Sequence, residues 1–499
     1  MTLVEMLENN AGRVPDKAAV IFHNTQITYS KFNETVNRLA SFLIEGGIKK
    51  GDRVGLMLPR IPELVISFMA AAKAQGVAVP INFELFEAKI RGIFEVITPK
   101  CLIVHASFLD IVGKSIPENV SIKIITVGND SGNYIAWDEA LKNGKPNNPG
   151  LEVNEEDLVY LNYTSGSTGN PKGAITSHSN IYYNTIGAVE ALGLTPEDIH
   201  LCMFAPFAHP HEIFARPVYL GGTMVFVDNI YPKSLAEAVA SHRVSCVMGL
   251  APMYENLLEA LEHKAYDLSS LRIPESGGMF TRPELIERFR QKLGVPIIPV
   301  WGSTETTGIA LANRPGEQMA TGSAGRLCPY YAGKIVDEHG AEVPTGETGE
   351  MIFKSPAVVK GYYAAQPDDS ANFNNGWYFS EDLGRRDEAG NFYFVERKTG
   401  MMKVAGLKVY PLEIELALMG HADVKEAAVI SVKDRLRGEV PKAFIVPKNG
   451  KILAEKDILR FCKEQLPHYK LPKIVEIRES LPKIGSGKIN KNALQQECA

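Results

Sequence analysis

Short apolar runs rich in branched side chains alternate along much of the chain with longer stretches of helical periodicity. The run Asp52-Arg53-Val54-Gly55-Leu56-Met57-Leu58 precedes a helical pattern from Ile61 to Ala74, the sequence habit of a βαβ unit. Further strands are predicted at Ala78-Val79-Pro80-Ile81, Cys101-Leu102-Ile103-Val104, Ile124 to Val127, Thr223 to Val227 and Cys246-Val247-Met248. A layered α/β body follows from that alternation. From about residue 320 the texture changes, because Gly322, Gly325, Gly333, Gly340, Gly346 and Gly349 punctuate short segments, and a β-rich subdomain is predicted. A last segment, from about residue 401 to 499, has its own alternation. Helix is expected at Leu412 to Leu418 and Ile458 to Gln465, and strand at Ala427 to Val432, Lys442 to Val446 and Ile474 to Ile477. That is long enough for a small separate domain.

Composition narrows the classes. A chain of 499 residues with 45% hydrophobic and 22% charged residues is ordinary for a large globular enzyme of roughly three folding units. The net charge of −5 gives no electrostatic reason to expect nucleic acid or an anionic membrane as partner. Cys101, Cys202, Cys246, Cys328, Cys462 and Cys498 are scattered without a CxxC pair, so neither a disulfide framework nor a zinc site is indicated. The N-terminus is acidic and amphipathic, and no apolar run approaches a membrane span, so a cytoplasmic protein is expected.

The densest chemistry lies in Tyr163-Thr164-Ser165-Gly166-Ser167-Thr168-Gly169-Asn170-Pro171-Lys172-Gly173. Gly166, Gly169 and Gly173 let backbone N–H groups approach an anion, four hydroxyls add donors, and Lys172 adds positive charge. The run reads as a triphosphate cradle. It lacks the Walker spacing, so a helix-terminus nucleotide site of that kind is not supported. By composition alone it also suits a Ser/Gly-rich linker, but Leu158 to Leu161 before it and Ile181 to Tyr183 after it argue for a strand–loop–helix setting. His209, His211 and Glu212 have a metal-like spacing, with no distant fourth partner to complete it.

Other segments join the loop in order: Trp301-Gly302-Ser303-Thr304-Glu305, Tyr378-Phe379-Ser380-Glu381-Asp382, Glu396-Arg397, and Pro482-Lys483-Ile484-Gly485-Ser486-Gly487-Lys488-Ile489. With Thr28-Tyr29 and Gly51-Asp52-Arg53-Val54 near the start, the chain resembles the adenylate-forming superfamily of acyl-CoA synthetases, peptide-synthetase adenylation domains and luciferases, from about residue 15 to about residue 492. The resemblance implies a large layered N-terminal domain with a β-rich subdomain, residues 1–398, and a small mobile α+β C-terminal domain, residues 399–499. It implies that a carboxylate attacks the α-phosphorus of ATP, giving an acyl-adenylate and pyrophosphate, and that a thiol then displaces AMP. Such chemistry needs fixed positive groups and donors around phosphate rather than covalent help from the protein.

By the same resemblance, Thr164, Ser165, Gly166, Ser167, Thr168 and Gly169 hold the β- and γ-phosphates, with Lys172 near the leaving pyrophosphate. Thr304 meets the α-phosphate, and Glu305, with Thr164, binds Mg2+. Asp382 and Arg397 grip the ribose, although Ser380-Glu381 replaces the usual Thr-Gly, so glycine's freedom is unavailable at 381. Ser276-Gly277-Gly278-Met279-Phe280 resembles the stretch beside adenine and acyl group, and as a plain turn it needs no function. Lys488 resembles the mobile-domain lysine of adenylation. Gly406, in Lys403 to Pro411, resembles the glycine that lets pantetheine pass, or is a simple hairpin glycine. At the hinge Thr399-Gly400 stands where Asp or Lys is common, so no charged hinge contact is expected.

His209, in Pro206-Phe207-Ala208-His209, resembles a gate beside the reacting carboxylate, and its presence where peptide-synthetase domains hold Asp disfavours an amino acid substrate. Pocket walls near Met248 to Met253 and Thr306 to Ala310 fit a fatty, aromatic or small hydrophobic acid. The implied partners are that carboxylate, ATP and CoA. An acyl carrier protein is the alternative acceptor, and a non-catalytic nucleotide- or CoA-binding relative is a third reading. Lys433, Arg435, Arg437 and Lys442 form a basic cluster around Gly438-Glu439 that either acceptor could use. The oligomeric state is left open.

Overall fold

The structure is a computed structural model that describes all residues except 119, 129–131, 164–171, 204, 365–370, 436, 484–487 and 499. Its contacts divide the chain into two compact units, Met1–Gly333 with Phe353–Tyr378, and Lys334–Ile352 with Phe379–Ala499.

The first unit holds two large sheets. One runs Ile135–Ala136, Lys123–Val127, Cys101–His105, Arg53–Met57, Val77–Pro80, Leu158–Tyr163 and Gly173–Ser177, parallel except for its last pair. The other has Ile298–Ser303, Ile273–Ser276, Cys246–Gly249, Ile199–Cys202, Thr223–Phe226 and Ala18–Phe22 as parallel neighbours, flanked by antiparallel strands. Strands buried on both faces read as continuous apolar runs, as Cys101–His105 does. The helix Pro62–Lys73 is apolar nearly all round and lies in a core that takes residues from both sheets. Its one buried cation, Lys73, donates to Asn33 and Asn37 at 2.8 and 2.6 Å and pairs with Glu8 at 2.7 Å.

The alternation read from the sequence recurs here with boundaries shifted by one or two residues. One local expectation is corrected. The segment after the phosphate-loop run enters a strand before its helix: Gly173–Ser177 pairs antiparallel with Leu158–Tyr163, and Ser177 then caps the helix His178–Leu192. Strands flank the run on both sides, with the register Tyr163↔Gly173 holding its two ends side by side.

In the second unit, Val424–Asp434 and Gly438–Pro447 form a long antiparallel pair, extended by Ile474–Ile477 and Met402–Val404. Period-two alternation gives this sheet two apolar faces. Val429, Ala443 and Ile445 pack with Ile414, Leu418, Ile458 and Cys462 of the helices Pro411–Met419 and Glu455–Gln465. Ala428, Ile430, Phe444 and Val446 pack with Leu481 and Leu494. The β-rich texture after residue 320 corresponds to strands at Arg326–Leu327, Ala332–Val336, Gly349–Lys354, Trp377–Arg386 and Phe392–Arg397. The fold class is mixed α/β, with a large N-terminal and a small C-terminal domain.

Candidate active site

Within the first unit the strand Ile298–Ser303 delivers Thr304 and Glu305 into a tight turn. The Ser303 N–H donates to Thr306 Oγ1 at 2.8 Å, and that hydroxyl donates to the Gly308 carbonyl at 2.7 Å. Gly308 has φ +118°, and a Cβ there would lie 2.4 Å from Glu212 Oε1, so only glycine fits. Glu305 is 8% exposed, and its two oxygens accept from the Tyr362 hydroxyl at 2.6 Å and the Tyr378 hydroxyl at 3.0 Å. Burial, then the Glu305 charge, pushes the Tyr378 phenol well above its usual range, so it stays a donor. Lys172 Nζ sits 5.5 Å from the centre of the Tyr362 ring. One tyrosine therefore links two residues predicted to act on phosphate, although they are 133 positions apart in sequence.

His209 adopts φ +52°, an unusual backbone for a non-glycine residue. Its Nε2 lies 3.3 Å from Thr304 Oγ1, and its Nδ1 lies 3.5 Å from the Asn162 amide. His211, two residues on, has both ring nitrogens engaged: Tyr160 OH at 2.6 Å on Nδ1 and the Thr307 carbonyl at 2.8 Å on Nε2. Burial depresses its pKa to about 3. The metal-like spacing of His209, His211 and Glu212 thus resolves into a histidine beside Thr304 and a neutral core histidine. The run after Ile273–Ser276 is tied down by Gly277 N–H donating to the Gly249 carbonyl at 3.1 Å, and by Thr281 donating to Ser276 at 2.6 Å. Gly278 there takes φ +74°, followed by half-exposed Met279 and Phe280. Thr164, Ser165, Gly166, Ser167, Thr168 and Gly169 lie outside the described residues.

The second unit holds its own cluster. Asp382 and Arg397 face each other in register across two antiparallel strands, with Arg397 Nε 2.7 Å from Asp382 Oδ1. The carboxylate is buried, 7% exposed, while the arginine is half open. The Asp382 N–H donates to Ser380 Oγ at 3.1 Å, and Ser380 donates to the Met351 carbonyl at 2.6 Å. Lys488 shares this environment. Burial lowers its pKa first, the Arg397 charge lowers it further, and Asp382 opposes both.

Two expectations for this unit are corrected. Lys398, beside the predicted hinge residue Thr399, pairs with Glu350 at 2.8 Å, so a charged contact does stand next to that position. The basic cluster is smaller than the sequence suggests: Lys442 is engaged in a pair with Glu476 at 2.8 Å, while Lys433, Arg435 and Arg437 are exposed. Gly406 (φ +85°) and Ala405 (φ +49°) form the two-residue turn joining Met402–Val404 to Leu407–Val409, and a Cβ at Gly406 would meet open space.

Sequence reasoning missed Tyr362 and Asn162. Each acts through a partner dozens of positions away, and no local spacing marks such a pair.

A family model described as "AMP-binding enzyme" matches residues 7–363, and one described as "AMP-binding enzyme C-terminal domain" matches residues 413–488. A long-chain-fatty-acid–CoA ligase of Bacillus subtilis is 30% identical over 99% of this chain and 94% of its own length. A feruloyl-CoA synthase of an Amycolatopsis species is 31% identical over 97% of this chain and 96% of its own. Among solved structures, an anthranilate CoA ligase in complex with anthranoyl-AMP superposes with a TM-score of 0.92 at 27% identity, covering 100% of this chain and 97% of that one.

Proposed function

The chain belongs to the AMP-binding enzyme family, and from that premise we propose how its residues divide the work of an acyl-CoA ligase. The reaction is ATP-dependent ligation of a carboxylic acid to CoA through an acyl-adenylate. A carboxylate oxygen bonds to the α-phosphorus as pyrophosphate leaves, and the CoA sulfur then bonds to the carbonyl carbon as AMP leaves.

Thr304 donates to the α-phosphate, where charge builds in the transition state. His209, in contact with the Thr304 hydroxyl, borders the incoming carboxylate. Lys172 and the loop Thr164 to Gly169 hold the departing pyrophosphate. Glu305 suits Mg2+: its oxygens accept from two tyrosine hydroxyls, and a buried carboxylate so oriented is a hard oxygen ligand for an ion shared with substrate phosphates. Glu305, with Thr164, would hold that ion, which neutralises charge on the phosphates. Gly278, Met279 and Phe280 line the adenine and acyl group. Asp382 and Arg397 hold the ribose hydroxyls, Lys488 supplies positive charge during adenylation, and Gly406 opens the thiol's path. Residues 1–398 and 399–499 act as adenylation domain and mobile domain. Five buried free thiols and a half-buried sixth support a reducing, cytoplasmic setting.

The observation that carries this division is the meeting of Thr304, Glu305, Lys172 and His209 around Tyr362 and the turn after Ile298–Ser303. The test is a panel of carboxylic acids incubated with ATP and Mg2+, with and without CoA, followed by mass for AMP and thioester. AMP and acyl-CoA should appear together and require CoA. Acyl transfer to an added carrier protein while CoA gives no thioester would replace CoA by the carrier as acceptor.

A further inference from the structure

The helix His211–Leu220 begins two residues after the gate residue His209, and it carries Glu212 and Arg216 one turn apart. At 1.5 Å per residue these two stand about 6 Å apart along the axis, with Glu212 at the end nearer His209. The neighbouring parallel strands Ile199–Cys202, Cys246–Gly249 and Ile273–Ser276 bring His200, Met248 and Glu275 to the same place. Between them lies a cavity of about 20 Å³, room for one water-sized group.

Its walls are charged although fully interior. The side chains of Arg216, Glu212 and Glu275 are 5%, 4% and 3% exposed. Arg216 Nη1 donates to both Glu275 oxygens, at 3.0 and 2.8 Å. Its Nη2 is 3.6 Å from Glu212 Oε1, beyond a hydrogen bond. Among the described residues, Arg216 Nη2, Glu212 Oε1 and His200 Nε2 are all buried without a hydrogen-bond partner. Three such atoms lining one small cavity call for a guest that both donates and accepts.

We infer, on the ligase reading above, that this cavity is the polar end of the acyl pocket, and that Glu212 and Arg216 select a compact carboxylic acid bearing a hydroxyl at its far end. A hydroxyl accepts from Arg216 Nη2 and donates to Glu212 Oε1. A second carboxylate would meet Glu212 and Glu275, an ammonium would meet Arg216, and a methyl group would leave all three atoms unpaired. The way in passes Met248, which lines the cavity and whose Cε lies 3.6 Å from where a Cβ on Gly277 would stand. An unbranched thioether yields readily, and this one reaches from the cavity wall to the segment that follows Ser276. The water-sized cavity leaves room only for a small polar end, whereas a long alkyl chain would run into the Arg216–Glu275 pair.

The experiment compares matched acids with the full-length enzyme, ATP, Mg2+ and CoA: benzoate with 4-hydroxybenzoate, cinnamate with 4-hydroxycinnamate, and palmitate. At least one hydroxylated acid should exceed its unsubstituted partner by about tenfold or more in kcat/KM, because a site built for a hydroxyl rejects the analogue lacking it. Palmitate should be the poorest substrate. In Glu212→Gln the ratio within that pair should fall toward one. Thermal midpoints of the unmutated enzyme with ATP and each acid give the same comparison without relying on a variant, and the hydroxylated acid should shift the midpoint more. Turnover of the acids with equal or reversed preference would mean that the cavity holds only water, and would overturn the inference while leaving the ligase reading intact. No turnover of any acid would overturn both.

Discussion

Glu381 holds φ +60°, a conformation that costs a side-chain-bearing residue about 1 kcal/mol relative to glycine. Its neighbours keep it there. The Glu381 N–H donates to Glu350 at 3.0 Å, its carbonyl accepts from Lys398 N–H at 2.7 Å, and Lys398 Nζ closes the ring onto Glu350 at 2.8 Å. The left-handed turn before Asp382 therefore survives without glycine. Glu381→Gly should relieve the strain while making the unfolded chain more flexible, so the net gain should be roughly 0.5 kcal/mol, a rise of about 1 °C in thermal midpoint. Glu350→Ala should lower the midpoint, and a lowered midpoint in Glu381→Gly would show that the surroundings absorb the strain. At this scale the sequence was informative where a motif is contiguous. Asp382 and Arg397 were readable, and they lie in register across two strands. The hydroxyls that hold Glu305 were not readable, because Tyr362 is 57 positions away and meets it only through the fold.

Among the elements, the first helix shows how a local signal and a distant one combine. Thr2 and Glu5 form a capping box at the start of Leu3–Arg13. The next free amide, Leu3 N–H, donates to His178 Nδ1 at 3.2 Å, at the beginning of the helix His178–Leu192. Burial depresses His178 from 6.5 to about 4, so the folded state requires the neutral ring. A pKa lowered in the folded state gives stability that is present above about pH 6.5 and is lost as pH falls toward about 4. The shift corresponds to up to about 3 kcal/mol. His200, at about 4, and His211, at about 3, act in the same direction. Glu212, raised to about 7, acts in the opposite direction and loses its contribution as pH rises from about 4.5 to about 7. His178→Gln should therefore narrow the gap to the unmutated protein as pH drops from 6.5 to 4, read from urea midpoints at each pH. A gap independent of pH would rule out the buried neutral histidine. The strand Gly173–Ser177 shows what periodicity misses: five residues with one branched aliphatic side chain become a strand only because Leu158–Tyr163 lies beside them.

At the scale of the whole molecule, the last residues serve either one half-reaction or both. Ordered motifs spread over most of the chain made the family legible, since their sequence order is itself a long-range constraint. Their three-dimensional meeting was not legible, and each unit assembles only part of it. In the second unit, Lys488 lies near Asp382 and Arg397 in a setting where burial and a neighbouring cation both disfavour its charge. An ammonium held in that way gains most when a phosphate or carboxylate oxygen arrives, which is the event of adenylation. Thiol transfer needs no such charge at that point, because the developing negative charge has moved to the thioester carbonyl and the leaving AMP. Lys488→Ala should then cut pyrophosphate release by about a hundredfold or more, the loss expected for one well-placed charged contact. Thioester formation from supplied acyl-adenylate and CoA should continue at close to the unmutated rate. Equal losses in both half-reactions would show that Lys488 supports the site as a whole, and would remove the basis for assigning the C-terminal segment a separate role in each step.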